Sequence, residues 1–169
     1  MGTTITLSHL APFVRDSYNF YKKQYNRIVP DKSLVEALAK DSLKKEIEDA
    51  VQTFNYQINS FSTTNGQAPF VSVFMYIDEN PEYKNETVML IEEFLKQRIK
   101  GMKNRTGHYV TQAFPKLIYC LDEDNIHEDS EYYWLTELAV KSTAKRMNPD
   151  YVSAKIMKEY KGAVFPSMG

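Results

Sequence analysis

Apolar and aromatic side chains recur at three- and four-residue steps through Leu10, Phe13, Val14, Tyr18, Tyr21 and Tyr25, which predicts a first helix over residues 10–28. Ser8 is placed to cap it, and Pro12 is tolerable only in an opening turn. Val29-Pro30-Asp31 breaks the rhythm. A longer helix is predicted over 33–61, where Leu43, Ile47, Ala50, Val51, Phe54, Ile58 and Phe61 form one seam. Lys44, Lys45, Glu48, Asp49 and Gln52 fall on the opposite, solvated side. At 1.5 Å per residue this helix would run about 40 Å. Thr63-Thr64-Asn65-Gly66 ends it, with Gly66 free to adopt a left-handed conformation.

The period then changes. Residues 70–77, Phe-Val-Ser-Val-Phe-Met-Tyr-Ile, are rich in β-branched and aromatic side chains and read as a strand. A polar loop covers 78–85. A helix over 86–100 buries Val88, Ile91, Phe94, Leu95 and Ile99 and closes at Gly101. Lys116-Leu-Ile-Tyr-Cys-Leu121 is a second strand. Ser130 is placed to cap a helix running to Met147, with Leu135, Leu138 and Ala139 on one face and Lys141, Lys145 and Arg146 near its negative end. A short helix over 153–161 precedes Gly162. Strand, helix, strand, helix in this order predicts parallel βαβ units. Two apolar strands do not complete a sheet, so the chain reads as part of a larger α/β structure whose strands are covered on both faces. Lone strands would also leave edges and apolar surface that favour self-association.

With 169 residues, 43% of them hydrophobic, the chain can bury a full domain core. A net charge of −1 lacks the basic excess of a nucleic-acid module. No apolar run is long enough to span a membrane, and the start has no signal-peptide pattern, so the reading is a cytoplasmic protein. A single cysteine excludes an internal disulfide framework. The 12 Tyr and 9 Phe suit extended contact surfaces, internal or against another chain.

Candidate chemistry concentrates at a few places. The Asn65-Gly66-Gln67 turn offers backbone N–H groups and amides to a ribose or phosphate, or it simply ends a helix. Lys116 at a strand start is a phosphate candidate or a surface lysine. Lys145 and Arg146 read as partners of a helix C-terminus. Cys120, between Tyr119 and Leu121 in mid-strand, reads as a buried, inert thiol. His9, His108 and His127 lack metal-ligand spacing, so no metal site is expected.

Four blocks in order resemble the anaerobic (class III) ribonucleoside-triphosphate reductases. They are Asn59-Ser-Phe-Ser-Thr-Thr-Asn-Gly-Gln-Ala-Pro-Phe70, Ala113-Phe-Pro-Lys-Leu-Ile-Tyr119, Ala144-Lys-Arg-Met-Asn-Pro-Asp150 and Pro166-Ser-Met-Gly169. Gly2-Thr-Thr-Ile5 and Leu10-Ala-Pro-Phe-Val14 resemble the segment after that family's glycine pair. The resemblance covers essentially the whole chain. It implies a partial segment of a ten-stranded α/β barrel with a long helical N-terminal part. Residues 1–64 would be the helical segment on the dimer and effector side, and 65–169 the βαβα segment of the catalytic barrel leading into its finger loop. Phe70, Val71, Val73 and Leu117 would line the dry pocket that thiyl chemistry needs.

In that family the Pro-x-Met-Gly run leads directly to the cysteine that becomes the thiyl radical, and this sequence ends at Gly169. A truncated frame, a split gene and an intein junction each account for that end. The resemblance implies that Met168 lines the active site and that the catalytic cysteine and radical glycine lie outside these residues; Asn65, Gly66, Gln67 and Lys116 are the substrate-binding candidates of the physical reading above. It further implies a glycyl radical made by an iron–sulfur, S-adenosylmethionine-dependent activase, formate as reductant, ribonucleoside triphosphate substrates and nucleotide effectors. The remaining segments of the reductase and a second copy of the enzyme would be its partners in deoxyribonucleotide synthesis for DNA replication. Alone, the chain should be inactive. The competing reading is a non-catalytic helical interaction or regulatory protein descended from the reductase.

Overall fold

A computed structural model describes residues 2–62, 66 and 69–166. The chain opens with a strand, β1 (Gly2–Thr6), and a short 3-10 turn. Helix α1 (Ala11–Tyr25) begins with Pro12 in its first turn, where a missing N–H costs nothing. Its N-cap is Leu10, not Ser8. Ser8 is instead buried and donates its hydroxyl to Glu79 at 2.8 Å. Helix α2 (Lys32–Ser60) is capped by Asp31, whose carboxylate accepts from the Ser33 amide. Val35, Ala39, Leu43, Ile47 and Val51 form its buried seam at four-residue steps. It ends through an extended Phe61 rather than through Gly66, although Gly66 does have a positive φ of 73°.

Strand β2 (Phe70–Met75) stops where the chain turns through two short 3-10 segments. Helix α3 (Lys84–Lys100) ends at Gly101, φ 79°. A Cβ there would lie 2.7 Å from the Val110 carbonyl oxygen and 2.8 Å from Arg146 Nη2, so both conformation and space demand glycine. A two-residue ribbon follows, β3 (Met102–Lys103) against β4 (Tyr109–Val110). Then come β5 (Lys116–Leu121), α4 (Tyr133–Arg146), β6 (Asp150–Ser153) and α5 (Ala154–Lys161). Tyr132 occupies the N-cap of α4, not Ser130. The Ser130 hydroxyl is drawn off by the Glu123 carbonyl at 2.8 Å.

The main sheet holds four strands in the order β1-β2-β5-β6, all parallel. The two strands predicted from sequence are therefore neighbours within a larger parallel sheet, and β1 and β6 flank them. Chain order equals spatial order, so right-handed crossovers place every connecting helix on the same face. The packing agrees. Val14 of α1, Leu43, Ile47 and Val51 of α2, Ile91 and Leu95 of α3, and Leu135 and Ala139 of α4 share one core with Val73, Met75, Leu117 and Tyr119. Each such apolar side chain contributes about 1.5–3 kcal/mol by leaving water.

Strand alternation assigns Val71, Val73 and Leu117 to this helix-covered face. That corrects the expectation that they line the opposite pocket; only Phe70 among the four points the other way. The second face carries Phe74, Tyr76, Ile118 and Cys120, with Ala154, Val152 and Val164 closing over them.

One buried charge pins the margin of the sheet. Arg98, in the last turn of α3, is 2% exposed and donates to the carbonyl oxygens of Gln112 (2.7 Å) and Pro115. Burial, then the nearby Arg146, lowers its pKa to about 10. Arg146 donates to the Ile99 and Lys100 carbonyls at 3.2 and 3.0 Å, satisfying the C-terminus of α3.

Candidate functional site

The face of the sheet opposite the connecting helices, covered in part by α5, carries a polar row in an otherwise apolar wall. Register places Thr4 beside Ser72 and Ser72 beside Lys116, so three strands present these side chains in line. Ser72 is fully buried, and its hydroxyl has no hydrogen-bond partner among the described residues. The Thr4 hydroxyl of the row is also buried and unpartnered among the described residues, as is the Asn148 side-chain oxygen just before β6. Orphaned polar atoms of this kind cost about 1–3 kcal/mol each unless something else satisfies them. Lys116 Nζ lies 2.9 Å from Asp150 Oδ2 at the open end of the row, with both side chains partly exposed.

The C-terminal run of the chain crosses the same face. Val164 packs against the Phe74–Ile118 cluster. Pro166 lines a cavity of about 400 Å³ together with Thr4, Thr6, His9, Leu10 and Phe54. The last described residue of the Pro-Ser-Met-Gly run thus shares a cavity at the β1 edge with Thr4, Ile5 and Phe54. Asn65, Gln67 and Met168 lie outside the described residues. Gly66 is exposed, with nothing within 4 Å of a Cβ built on it.

At the carboxyl ends of the strands most polar groups are paired, although Asp124 Oδ1 is buried without a hydrogen-bond partner among the described residues. The Tyr76 hydroxyl donates to Asp122 Oδ2 at 2.9 Å, and Lys158 Nζ lies 3.1 Å from the same oxygen. Burial works against ionisation of Asp122, but the Glu123 amide, Tyr76 and Lys158 outweigh it and hold the carboxyl below its ordinary range. Burial first, and the Asp122 charge second, raise the Tyr76 hydroxyl. Glu79 accepts from Thr6 and Ser8, which ties β1 to the turn after β2. Lys84 bridges Asp78 at 2.9 Å and Asp124 at 3.2 Å.

Cys120 is fully buried on this face, and its thiol is pushed up to about 12, mainly by desolvation and then by Asp122. A thiol so far from ionisation is no nucleophile. Among the described residues no three His, Cys, Asp or Glu side chains converge on a metal position. Sequence reading singled out Lys116 but passed over Thr4, Ser72 and Asn148. The available signal was Ser72, a single small hydroxyl residue inside the apolar run Phe-Val-Ser-Val-Phe-Met.

Parallel strands wound in chain order, connecting helices on one face and a polar row on the other define an α/β protein built from repeated strand–helix units. Comparison with known proteins narrows the class. A family model described as anaerobic ribonucleoside-triphosphate reductase matches residues 2–169. The chain is 33% identical over 99% of its length to the anaerobic ribonucleoside-triphosphate reductase of Escherichia coli K12, covering 23% of that protein. It is 32% identical over 99% of its length to that of Salmonella typhimurium (23% of the relative), and 32% identical over 87% to that of bacteriophage T4 (24% of the relative). The chain belongs to the anaerobic ribonucleoside-triphosphate reductase family and spans about a quarter of the length of these relatives.

Proposed function

We propose that this chain forms four adjoining strands of the catalytic barrel of an anaerobic ribonucleoside-triphosphate reductase and carries the approach to its radical-bearing loop. The observation that supports the reading is the face opposite the connecting helices: an apolar wall with an unpartnered polar row, covered only by α5 and the residues that lead to Pro166 among the described residues. Strand order equal to chain order, with every connecting helix on one side, supports an arc that closes by adding further strands at both edges. The whole enzyme then converts ribonucleoside triphosphates to deoxyribonucleoside triphosphates, with the thiyl and glycyl radicals held in its other segments.

In this reading Lys116 neutralises phosphate once Asp150 is displaced, and Asn65, Gly66 and Gln67 approach the nucleotide from the loop before β2. Met168 packs beside the reacting sulfur. The family's glycyl radical, generated by an iron–sulfur activase, would pass to the catalytic cysteine, which would supply the hydrogen-abstracting chemistry, and formate would supply the reducing equivalents. This chain's own contribution is to exclude water, orient the ribose and hold the approach of the loop. The exposed Phe13, Phe20, Ile28 and Leu34 support a second copy docking on α1 and α2, in the cytoplasm where such an enzyme would work.

The test is anaerobic turnover of the full-length reductase that contains these residues, activated by its radical-generating partner. Deoxynucleotide formation should appear with the full-length protein, be absent with residues 1–169 alone, and fall at least about tenfold in Lys116→Gln through KM as well as kcat. Turnover by the isolated chain, or wild-type rates in both Lys116→Gln and Met168→Leu, would overturn the assignment.

A further inference from the structure

Helix α5 lies on the face opposite the connecting helices and is held there by little apolar burial. Ala154, whose side chain is one methyl group, is its single buried residue, and it packs in the cluster with Phe74, Tyr76, Ile118 and Cys120. Ile156 and Tyr160 are exposed. Lys158 follows Ala154 by four residues and so shares its side of the helix. Its Nζ lies 3.1 Å from Asp122 Oδ2, in the turn after β5.

The receiving carboxylate is fixed before the lysine reaches it. The Asp122 side chain is 12% exposed, against 50% for that of Lys158. The Tyr76 hydroxyl, just past the end of β2, donates to the same Oδ2 at 2.9 Å, and the Glu123 amide donates to Oδ1 at 2.9 Å. The Asp122 amide donates to Asn125 Oδ1 at 3.0 Å, and the fully buried Asn125 donates through Nδ2 to the Cys120 carbonyl at 3.0 Å. The turn is thereby tied to β5. Among the described residues the Lys158–Asp122 contact is the one directional side-chain tether from α5 to the sheet, and it is charge-assisted.

The residues after α5 inherit its position. The helix stops at Gly162, φ 75°. Val164 then packs on the Phe74–Ile118 cluster, and Pro166 reaches the cavity with Thr4 and Thr6. Between α5 and Pro166 the chain therefore passes across the sheet to its β1 edge, so a shift in the end of α5 shifts the start of that run.

We propose that Lys158 and Asp122 are positioning residues for ribonucleotide reduction: their contact, steadied by Tyr76, sets where α5 ends and so the path of the loop that follows. The proposal rests on the reading of that loop as the approach to the catalytic cysteine. Removing Lys158 leaves Asp122 with Tyr76 and the Glu123 amide, so no buried charge is orphaned and the fold holds. What is lost is placement, and a displacement of about 1 Å at a reacting centre can cost about a hundredfold in rate.

Anaerobic turnover of the activated full-length reductase tests this. Lys158→Met should lower kcat at least about fivefold, with KM for the ribonucleoside triphosphate within about twofold and the unfolding midpoint unchanged. Lys158→Arg returns a charged donor to the same oxygen and should bring kcat to within about threefold of wild type. Combining Lys158→Met with Asp122→Asn should be no slower than the slower single variant, because both remove one contact. Lys155→Met, at an exposed position of the same helix, should leave kcat unchanged. The glycyl-radical EPR signal should form to the same extent in every variant. Wild-type kcat in Lys158→Met, an effect on KM alone, an equal loss in Lys155→Met, additive losses in the double variant or a weakened radical signal overturns the proposal. If the wild-type full-length protein itself makes no deoxynucleotide, the underlying reading falls and the proposal with it.

Discussion

The two faces of the parallel sheet are made from the same strands and finished in different ways. On one, four helices bury Val73, Met75, Leu117 and Tyr119 in a core of eighteen buried residues. On the other, five buried residues among those described lie under a single short helix and the terminal run, next to the unpartnered hydroxyls of Thr4 and Ser72. The first face is what a parallel sheet needs for stability. Buried polar atoms without partners among the described residues occur on both sides, at Asn55, Thr87 and Ser142 of the helices as well as at Thr4 and Ser72. The contrast is one of cover: a thick helical layer on one face, and a short helix with the terminal run on the other.

Cavity formation should test that contrast most strongly. Leu117→Ala, on the helix side, should cost about 3–4 kcal/mol in urea unfolding, and Ile118→Ala, its neighbour on the other side, about 2, because the smaller cluster has more room to collapse. Equal losses would erase the distinction.

Alkaline pH should act on both faces at once. Cys120 and Tyr119 have folded pKa values raised above their unfolded ones of about 9 and 10, chiefly by burial. Their stabilisation is complete below those unfolded values. It is lost as pH rises, because only the unfolded chain releases the protons. Melts from pH 8 to pH 11 should therefore lose stability from about pH 9, by up to about 1.4 kcal/mol per pH unit for each group. Cys120→Ala should remove the earlier part of the slope, and an unchanged slope would show that the thiol is less buried than its position implies.

Ser72→Ala should be stabilising or neutral, by about 1 kcal/mol at most, since it deletes an unsatisfied hydroxyl from the sheet. A marked loss would reveal a partner for that hydroxyl inside the chain. Smallest of all, Lys116→Gln should change stability by about 0.5 kcal/mol or less, because its bridge to Asp150 is solvent-accessible and easily screened. A larger drop would make the pair structural.

The helices were legible because long periodic seams such as Leu43-Ile47-Val51 leave no other economical burial. The central strands were legible for their β-branched and aromatic density. The flanking strands were not. Gly2–Thr6 is short and threonine-rich, and Asp150–Ser153 has four residues; both become strands only by pairing with β2 and β5. Alternation likewise separates Val71 and Val73 from Ser72 and Phe74 without saying which set meets the helices. That depends on the hand of the crossovers, a property of the whole chain. Local propensity also misplaced two caps, because Ser8 and Ser130 are claimed by Glu79 and the Glu123 carbonyl, which are distant partners or loop atoms that no helix-start pattern contains.

The guanidinium of Arg98 has one more consequence. The stretch between α3 and β5 is mostly exposed and has a ribbon only two residues wide, so little of it would persist by its own burial. It is riveted at both Gln112 and Pro115 to the end of a buried helix, and this lets a nearly coreless flap keep a defined shape. Breathing motions that release the rivet can open the flap while the sheet stays folded, which gives this corner of the molecule a stability of its own, lower than that of the whole.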